Sequence, residues 1–550
     1  MTAHRHKSAG DSTVLGFILA TGLLAVIATV AASPAHALGI DGEWTQIGKL
    51  LAPDAAPGDF LGNAVAVDGS TLVIGSPSND DGGDGTGSAY VFERDPVTGG
   101  WTPVAKLRAS DRSPGDLFGV AVALQGDTLF VAIIVSDFPV VTPGAVYVFQ
   151  RDPGTGNWVE IDKLVPSDGE ANNFGVPLAL DGDTLAVGAV DADDLGTESG
   201  AVYLFERDST TGAWLEADKL LASDGGTGGR FGERLAISED TLVVGVSAFS
   251  NRRVAYVFER DAATGAWLEI AALEPASGHT FDSFGDAVTI ESETLVVGAE
   301  NDDDAGDSAG AAYVFARDDA SGAWLEQQKL VPFDGQNLSA FGNTMAIHGE
   351  LLVIGDRGDR TSFSSDGSLY VYARDSGSGE WLFAAKLLAS DPDTFDHLSL
   401  SLAFDGETII AGANDDAEGD SGAAYVFDRL ALGGSLTGGE GRRVECRNET
   451  TGQEVVIDLA RSTFWDCSAA GLIVAPFDLV TQQSRLTADG TTVSGVTSGL
   501  ALDSVLCSNL TTGQRLAVAP SPADSWDCER AGLPVSAGDV ITMTVSGVVE

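Results

Sequence analysis

The chain has 550 residues and carries 81 Asp and Glu against 30 Lys and Arg, a formal net charge of −51. So acidic a chain excludes partners that need a basic face, such as the phosphate backbone of nucleic acids, and disfavours anionic membrane surfaces. It leaves cations, basic partners, or solubility in salty water.

The N-terminus opens with Arg5 and Lys7, continues with an apolar run over 14–32, and reaches Ala35-His36-Ala37, which suits a signal peptidase. Residues 1–37 therefore read as a signal peptide, with an uncleaved anchor as the alternative for so long an apolar run. No second membrane span follows, so the chain is expected to be secreted, extracellular or held at the cell surface.

Seven tryptophans come next: Trp44, Trp101, Trp158, Trp214, Trp267, Trp324 and Trp381. They recur about every 57 residues, a period that signals a repeat architecture. Each unit runs Trp-x-x-x-x-Lys-Leu, a polar stretch, Phe-Gly, an apolar strand, a tight turn and a second apolar strand ending in Gly. An Asp/Gly-rich loop then leads to Tyr-Val-Phe-x-Arg-Asp. In the second unit these pieces are Trp101, Lys106, Phe118-Gly119, 121–124, 128–132 and 147–152.

The unit thus predicts four short strands separated by turn residues, with turns such as Asp68-Gly69 and Asp181-Gly182 suited to tight hairpins. A four-stranded sheet cannot bury both faces alone, but seven of them around a ring can. The fold class is all-β: a seven-bladed β-propeller over 38–430. The last closing strand (425–429) lacks a Trp strand after it, and the first Trp strand (44–50) lacks a closing strand before it. The N-terminal strand 44–50 is expected to complete blade 7.

The Phe-Gly … Gly-Ala-x pattern resembles the FG-GAP repeat of integrin α-subunit propellers and their bacterial relatives. Phe-Gly stands at Phe118, Phe174, Phe231, Phe284 and Phe341; it is interrupted at Phe60-Leu61-Gly62 and lost at His397-Leu398. The resemblance implies a seven-bladed propeller, usually extracellular and often a ligand-binding or adhesion surface. Such repeats often hold calcium in a loop between the first two strands of a blade. Here that connection is too short to supply the roughly six to eight oxygens calcium takes, so those sites are not carried over.

After a Gly-rich stretch read as a linker (431–441), the tail repeats itself. Cys446-x-Asn448 and Trp465-Asp466-Cys467 recur as Cys507-x-Asn509 and Trp526-Asp527-Cys528. Two small β modules, 442–490 and 491–550, are expected, each stapled by a local disulfide: Cys446–Cys467 and Cys507–Cys528. The duplication chooses these among three pairings, and export would preserve them.

Catalytic chemistry has little to build on. Beyond the signal, the histidines are His279, His348 and His397, at non-equivalent places in three units, and no cysteine precedes residue 440. Two-carboxylate hydrolysis is open, but no pair stands out. The candidate sites are the acidic loops after each second strand. Asp80, Asp81 and Asp84 form one, Asp191 and Asp193 a partial one, Asp302, Asp304 and Asp307 another, and Asp415, Asp416 and Asp420 the last. Carboxylates at such spacing could hold Ca2+, or could simply form solvated Asx turns. No cofactor is required. A recurring Asp five residues after each unit's Lys (Asp54, Asp111, Asp168, Asp224, Asp334, Asp391) suggests a structural turn. Arg357-Gly358-Asp359 spells an integrin-recognition tripeptide but replaces a repeat element, and is discounted. The reading is a non-catalytic binding or adhesion protein with an acidic rim and an unknown protein or carbohydrate ligand. The alternatives are an exported hydrolase or lyase and a structural surface protein.

Overall fold

The computed structural model describes residues 44–429 except 97, 135–143, 170–172, 247–253, 277–281, 361–364, 392–396 and 417–420. It also describes the backbone of ten strands between residues 433 and 549. The signal segment 1–37, Asp420, Cys467 and Cys528 lie outside the described residues, and with them both expected disulfides.

Seven four-stranded antiparallel sheets follow one another, and no helix occurs among the described residues. Blade 3 is representative: Phe174–Asp181, Thr184–Ala189, Ala201–Arg207 and Trp214–Leu220, from the ring centre outward. The first strands of neighbouring blades touch one another around the centre. Every residue of Thr184–Ala189 is buried, because sheets cover both of its faces. That is why each second strand reads as an unbroken apolar run rather than an alternating one.

The outermost strand shows how one sheet serves two neighbours. In blade 2, Phe149 opposes Glu160 and Val148 opposes Asp162, so Ile161 is an extra, bulged residue. A bulge shifts the side-chain alternation by one. Trp158 therefore packs into the core shared with blade 1, whereas Leu164 packs into the core shared with blade 3. The same shift recurs in the outermost strand of every blade.

The seventh sheet draws on both ends of the ring. Trp44–Leu50 pairs antiparallel with Ala423–Arg429, placing Trp44 opposite Arg429 and Lys49 opposite Tyr425. This pairing gives the last blade the same four strands as the others and leaves no free edge inside the sheet order.

The Phe-Gly and Gly-Ala motifs meet at the joints between blades. Gly119, with φ +96°, lies against Gly75 of the preceding blade so closely that a Cβ on either would collide with backbone. Phe118, wholly buried, meets Tyr147 edge-on with ring centroids 5.6 Å apart. Where the sequence loses Phe, Leu61 and Leu398 take its buried place, and both keep the parallel bridge to the neighbouring blade that Phe118 makes.

In the tail, two copies of a five-strand pattern share two sheets. One sheet joins Gly433–Thr437 to Ser494–Thr497, and the other joins Leu479–Ala488 to Val540–Val549. The copies begin at Gly433 and Ser494, so the stretch read as a linker (431–441) carries strand rather than loop. Gly434, Ser435, Leu436 and Thr437 pair across the copies, which covers edges that two separate modules would expose.

Candidate functional site

In an antiparallel blade the loop after the second strand and the connection to the next blade emerge at the same end. These two loop classes form one face of the ring, and a lysine joins them in blade after blade. In blade 1 the Tyr90 hydroxyl donates to Asp54 Oδ1 at 2.7 Å. Lys106 Nζ lies 5.1 Å from the centre of the Tyr90 ring, donates to Asp54 Oδ2 at 2.6 Å, and also pairs with Asp81. Asp54 comes from the inter-blade connection and Asp81 from the acidic loop.

The same set recurs. Lys219 meets Asp168 and Asp194 at 2.6 and 2.7 Å. Lys386 meets Asp334 and Asp359 at 2.7 and 2.6 Å. Lys49, from the N-terminal strand, meets Asp391 and Asp416, both at 2.9 Å. In blade 5, where Ser277 stands at the recurring Asp position, Lys329 meets Asp302 and Asp304 at 2.7 and 2.5 Å. Blade 4 carries Ala272 in place of the lysine. The recurring Asp is thus the acceptor for the next blade's Tyr and Lys.

Titration follows this geometry. Burial works to raise Asp54, but the hydrogen bonds from Lys106 and Tyr90 bring it down to about 2. Burial would lower Lys219, yet its bonds to Asp168 and Asp194 hold it above its ordinary value. Burial and then the Asp54 carboxylate push the Tyr90 hydroxyl up. Asp54 and Lys219 stay charged, and the Tyr90 phenol stays protonated as a donor.

The acidic-loop residues divide between turns and ion pairs. Asp80 Oδ1 accepts the Gly85 N–H at 2.7 Å, and Asp193 Oδ1 the Glu198 N–H at 2.8 Å. Asp81 also takes Arg108 at 2.5 Å, and Asp191 takes Arg230 at 3.1 Å. Asp302 accepts the Tyr313 hydroxyl at 2.8 Å, and Asp416 the Tyr425 hydroxyl at 2.5 Å. Asp415 lies 2.9 Å from His397 Nδ1. The backbone carbonyls of Asp84 and Asp307 accept Gly115 and Leu338 N–H groups. Among the described residues no three His, Cys, Asp or Glu side chains gather as a metal set.

Blade 6 departs from the rest. Its second strand ends in Asp356, where other blades carry Ser76, Ala189, Ala299 or Ala413. Asp356 is wholly buried, and neither carboxylate oxygen has a hydrogen bond of good geometry; only Ser339 comes near. Burial, then the nearby Asp359 charge, pushes it up to about 8. The Arg-Gly-Asp tripeptide is not a presented loop: Asp359 is 2% exposed and bound to Lys386, while Arg357 pairs with Glu300 at 3.0 Å.

The opposite face carries the two hairpins of each blade, and two rows of carboxylates link neighbours there. At four joints the Arg closing one blade's third strand pairs with the residue before the equivalent Arg of the preceding blade: Arg94 with Asp428, Arg151 with Glu93, Arg260 with Glu206, and Arg317 with Glu259. Nearer the axis, the first hairpin's N–H bonds to the preceding hairpin. Gly69 donates to Asp405 at 3.0 Å, Gly126 to Asp68 at 2.6 Å, and Gly349 to Glu291 at 2.5 Å. The sequence reading missed these pairs. The recurrent Glu-Arg at the strand end was their signal.

The FG-GAP repeat family model matches residues 44–92, 101–149, 158–205, 214–258, 267–315, 324–372 and 381–427. No curated protein matches the chain. The chain is similar to the solved crystal structure of Saccharomyces cerevisiae Sqt1, with 13% identity and a TM-score of 0.37, over 92% of this chain and 99% of that one. With seven in-phase repeats spanning more than half of its length, each ending in a Tyr strand, the chain belongs to the FG-GAP repeat family.

Proposed function

We propose that the chain is an exported, non-catalytic binding or adhesion protein that presents the acidic loop face of its ring to a basic partner. FG-GAP propellers are typically binding folds of extracellular or surface proteins, which supports the broad role. The loop face supports the finer one: the lysines of blades 3, 5, 6 and 7 are each set against two carboxylates, so those clusters keep excess negative charge on a rigid frame. Fixed charge of one sign steers and orients an oppositely charged partner. The carboxylates face lysines rather than one another, which favours binding over two-carboxylate hydrolysis. A calcium-assisted version would require the ion to displace lysine from Asp81, Asp194 or Asp416.

The test compares binding of an oligolysine peptide to residues 38–550 and to two variants. Neutralising the loop face with Asp81→Asn, Asp194→Asn and Asp304→Asn is expected to weaken binding and flatten its salt dependence. Neutralising the hairpin face with Asp127→Asn and Asp183→Asn is expected to leave it unchanged. Equal effects from both variants would remove the loop face as the binding surface.

A further inference from the structure

Both carboxylate links of the hairpin face are missing between blades 2 and 3, as they are between blades 6 and 7, where Ala373 and His348 stand at the two acceptor positions. The residue that should pair with Arg207 is Gln150, whose amide instead donates to the Asp127 carbonyl at 2.7 Å within its own blade. The residue that should accept the Gly182 N–H is Gln125, where the preceding joint has Asp68. Among the described residues neither the Arg207 guanidinium nor the Gly182 N–H has a partner. Arg207 is exposed, whereas the third-strand arginines of the other six blades are half-buried.

These two donors open on a single cleft of about 440 Å³, lined also by Gln125, Gln150, Thr128 and Trp214. At four joints a carboxylate of the protein answers the arginine, and at four the first hairpin's N–H. Here two side chains of nearly the same shape have lost the charge, and the space beside them is open. An arginine and a backbone N–H lining one cleft suit a carboxylate, which can accept from both. The cleft is too large for a bare carboxylate and falls in the size range of small-molecule sites. Carboxamides both donate and accept, as sugar hydroxyls do, and Trp214, 5% exposed and packed edge-on against Phe130 4.9 Å away, contributes an apolar edge.

The geometry points to a binding site for a carboxylate-bearing sugar, a hexuronic acid, at the blade 2–blade 3 joint of the hairpin face. Its carboxylate takes the place of the missing Glu beside Arg207 and Gly182, and its ring rests against the exposed edge of Trp214. Asp127 and Asp183 at the mouth of the cleft, and the acidic chain as a whole, oppose an anion. The affinity is therefore weak, and it improves as salt shortens the reach of those charges. This site is on the face opposite the acidic loops, so it stands or falls apart from the proposed loop-face binding.

The experiment is calorimetric or NMR titration of residues 38–550 with D-galacturonate, D-galactose and acetate at two salt concentrations. Galacturonate is expected to bind at millimolar concentration or tighter, with galactose and acetate at least about tenfold weaker. Arg207→Gln removes the cation. Gln150→Glu restores the ion pair found at four other joints, closing the site from within while the fold is kept or strengthened. Each change is expected to cost at least about tenfold in galacturonate affinity, with oligolysine binding at the loop face unaltered. The proposal is overturned if galacturonate fails to bind, if acetate or galactose binds as well, or if the Gln150→Glu protein, shown folded by its melting curve, binds unchanged.

Discussion

Lys329 Nζ lies 2.7 Å from the carboxylate of Asp302, whose side chain is 1% exposed. A buried carboxylate is tolerable only with its counter-charge in place, and removing one partner of such a pair costs about 3–5 kcal/mol. Lys329→Met is therefore expected to lower the unfolding free energy by about that amount. Lys163→Met should cost only about 0–1 kcal/mol, because its described partner is exposed Asp111 and such pairs contribute little. Denaturant titration of both variants checks the contrast; equal losses would mean that burial of Asp302 does not set the cost.

The same lysines bear on calcium. An ion entering the acidic loops must compete with an ammonium already bonded to Asp81, Asp194, Asp304 and Asp416. The melting temperature of residues 38–550 is expected to rise equally in millimolar calcium and magnesium at matched ionic strength, as screening alone would give. A calcium-specific rise would restore the acidic loops as metal sites.

The ring was legible because repetition shows what a single unit cannot. Seven Trp and Tyr anchors in phase specify four strands and a turn, and an unmatched strand at each end points to closure. What the sequence hid is pairing between units. Asp54 and Lys106 are 52 residues apart, yet they meet because one leaves blade 7 and the other ends blade 1. The acidic loops looked like free oxygen donors because their counter-charge, the Lys of each Trp strand, lies on a different strand. The bulge at Ile161 was equally hidden, since Trp158 and Leu164 are six residues apart and a regular strand would put both on one face. The tail's duplication was visible, but not that its copies exchange strand pairing.

Asp356 makes stability depend on pH in a definite direction. Its ordinary value is 3.8 and burial raises it to about 8 in the folded chain. The folded state then holds a proton that the unfolded state has released, so stability falls as pH rises from about 4 to 8 and levels off above that. Asp356→Ala, the residue of blades 3, 5 and 7, should remove that loss, raising the melting temperature at pH 8.5 by several degrees more than at pH 4. An equal gain at both pH values would assign the effect to packing.

Asp54 acts with the opposite sign. Its folded value of about 2 lies below the ordinary 3.8. The stability it lends is present above pH 4 and is lost as pH falls toward 2. Asp111, Asp334 and Asp391 are also lowered, chiefly through their Lys and Tyr partners against the pull of burial. Acid unfolding should therefore steepen below pH 4, and Asp54→Asn should shift the acid midpoint upward. A midpoint unmoved by Asp54→Asn would detach this cluster from acid stability.

Closure by the N-terminal strand concentrates several of these terms in seven residues. Trp44–Leu50 supplies the outermost strand of blade 7, the Lys49 ammonium for Asp391 and buried Asp416, and Leu50 in the core shared with blade 1. Removing residues 38–52 takes all three at once and uncovers the edge of Ala423–Arg429. The ring is expected to melt at least about 10 °C lower and to associate through that edge. Adding the peptide 38–52 back should restore the melting temperature in a concentration-dependent way, as strand complementation does. A truncated ring that melts like the parent would show that the other six blades hold the circle without the strand.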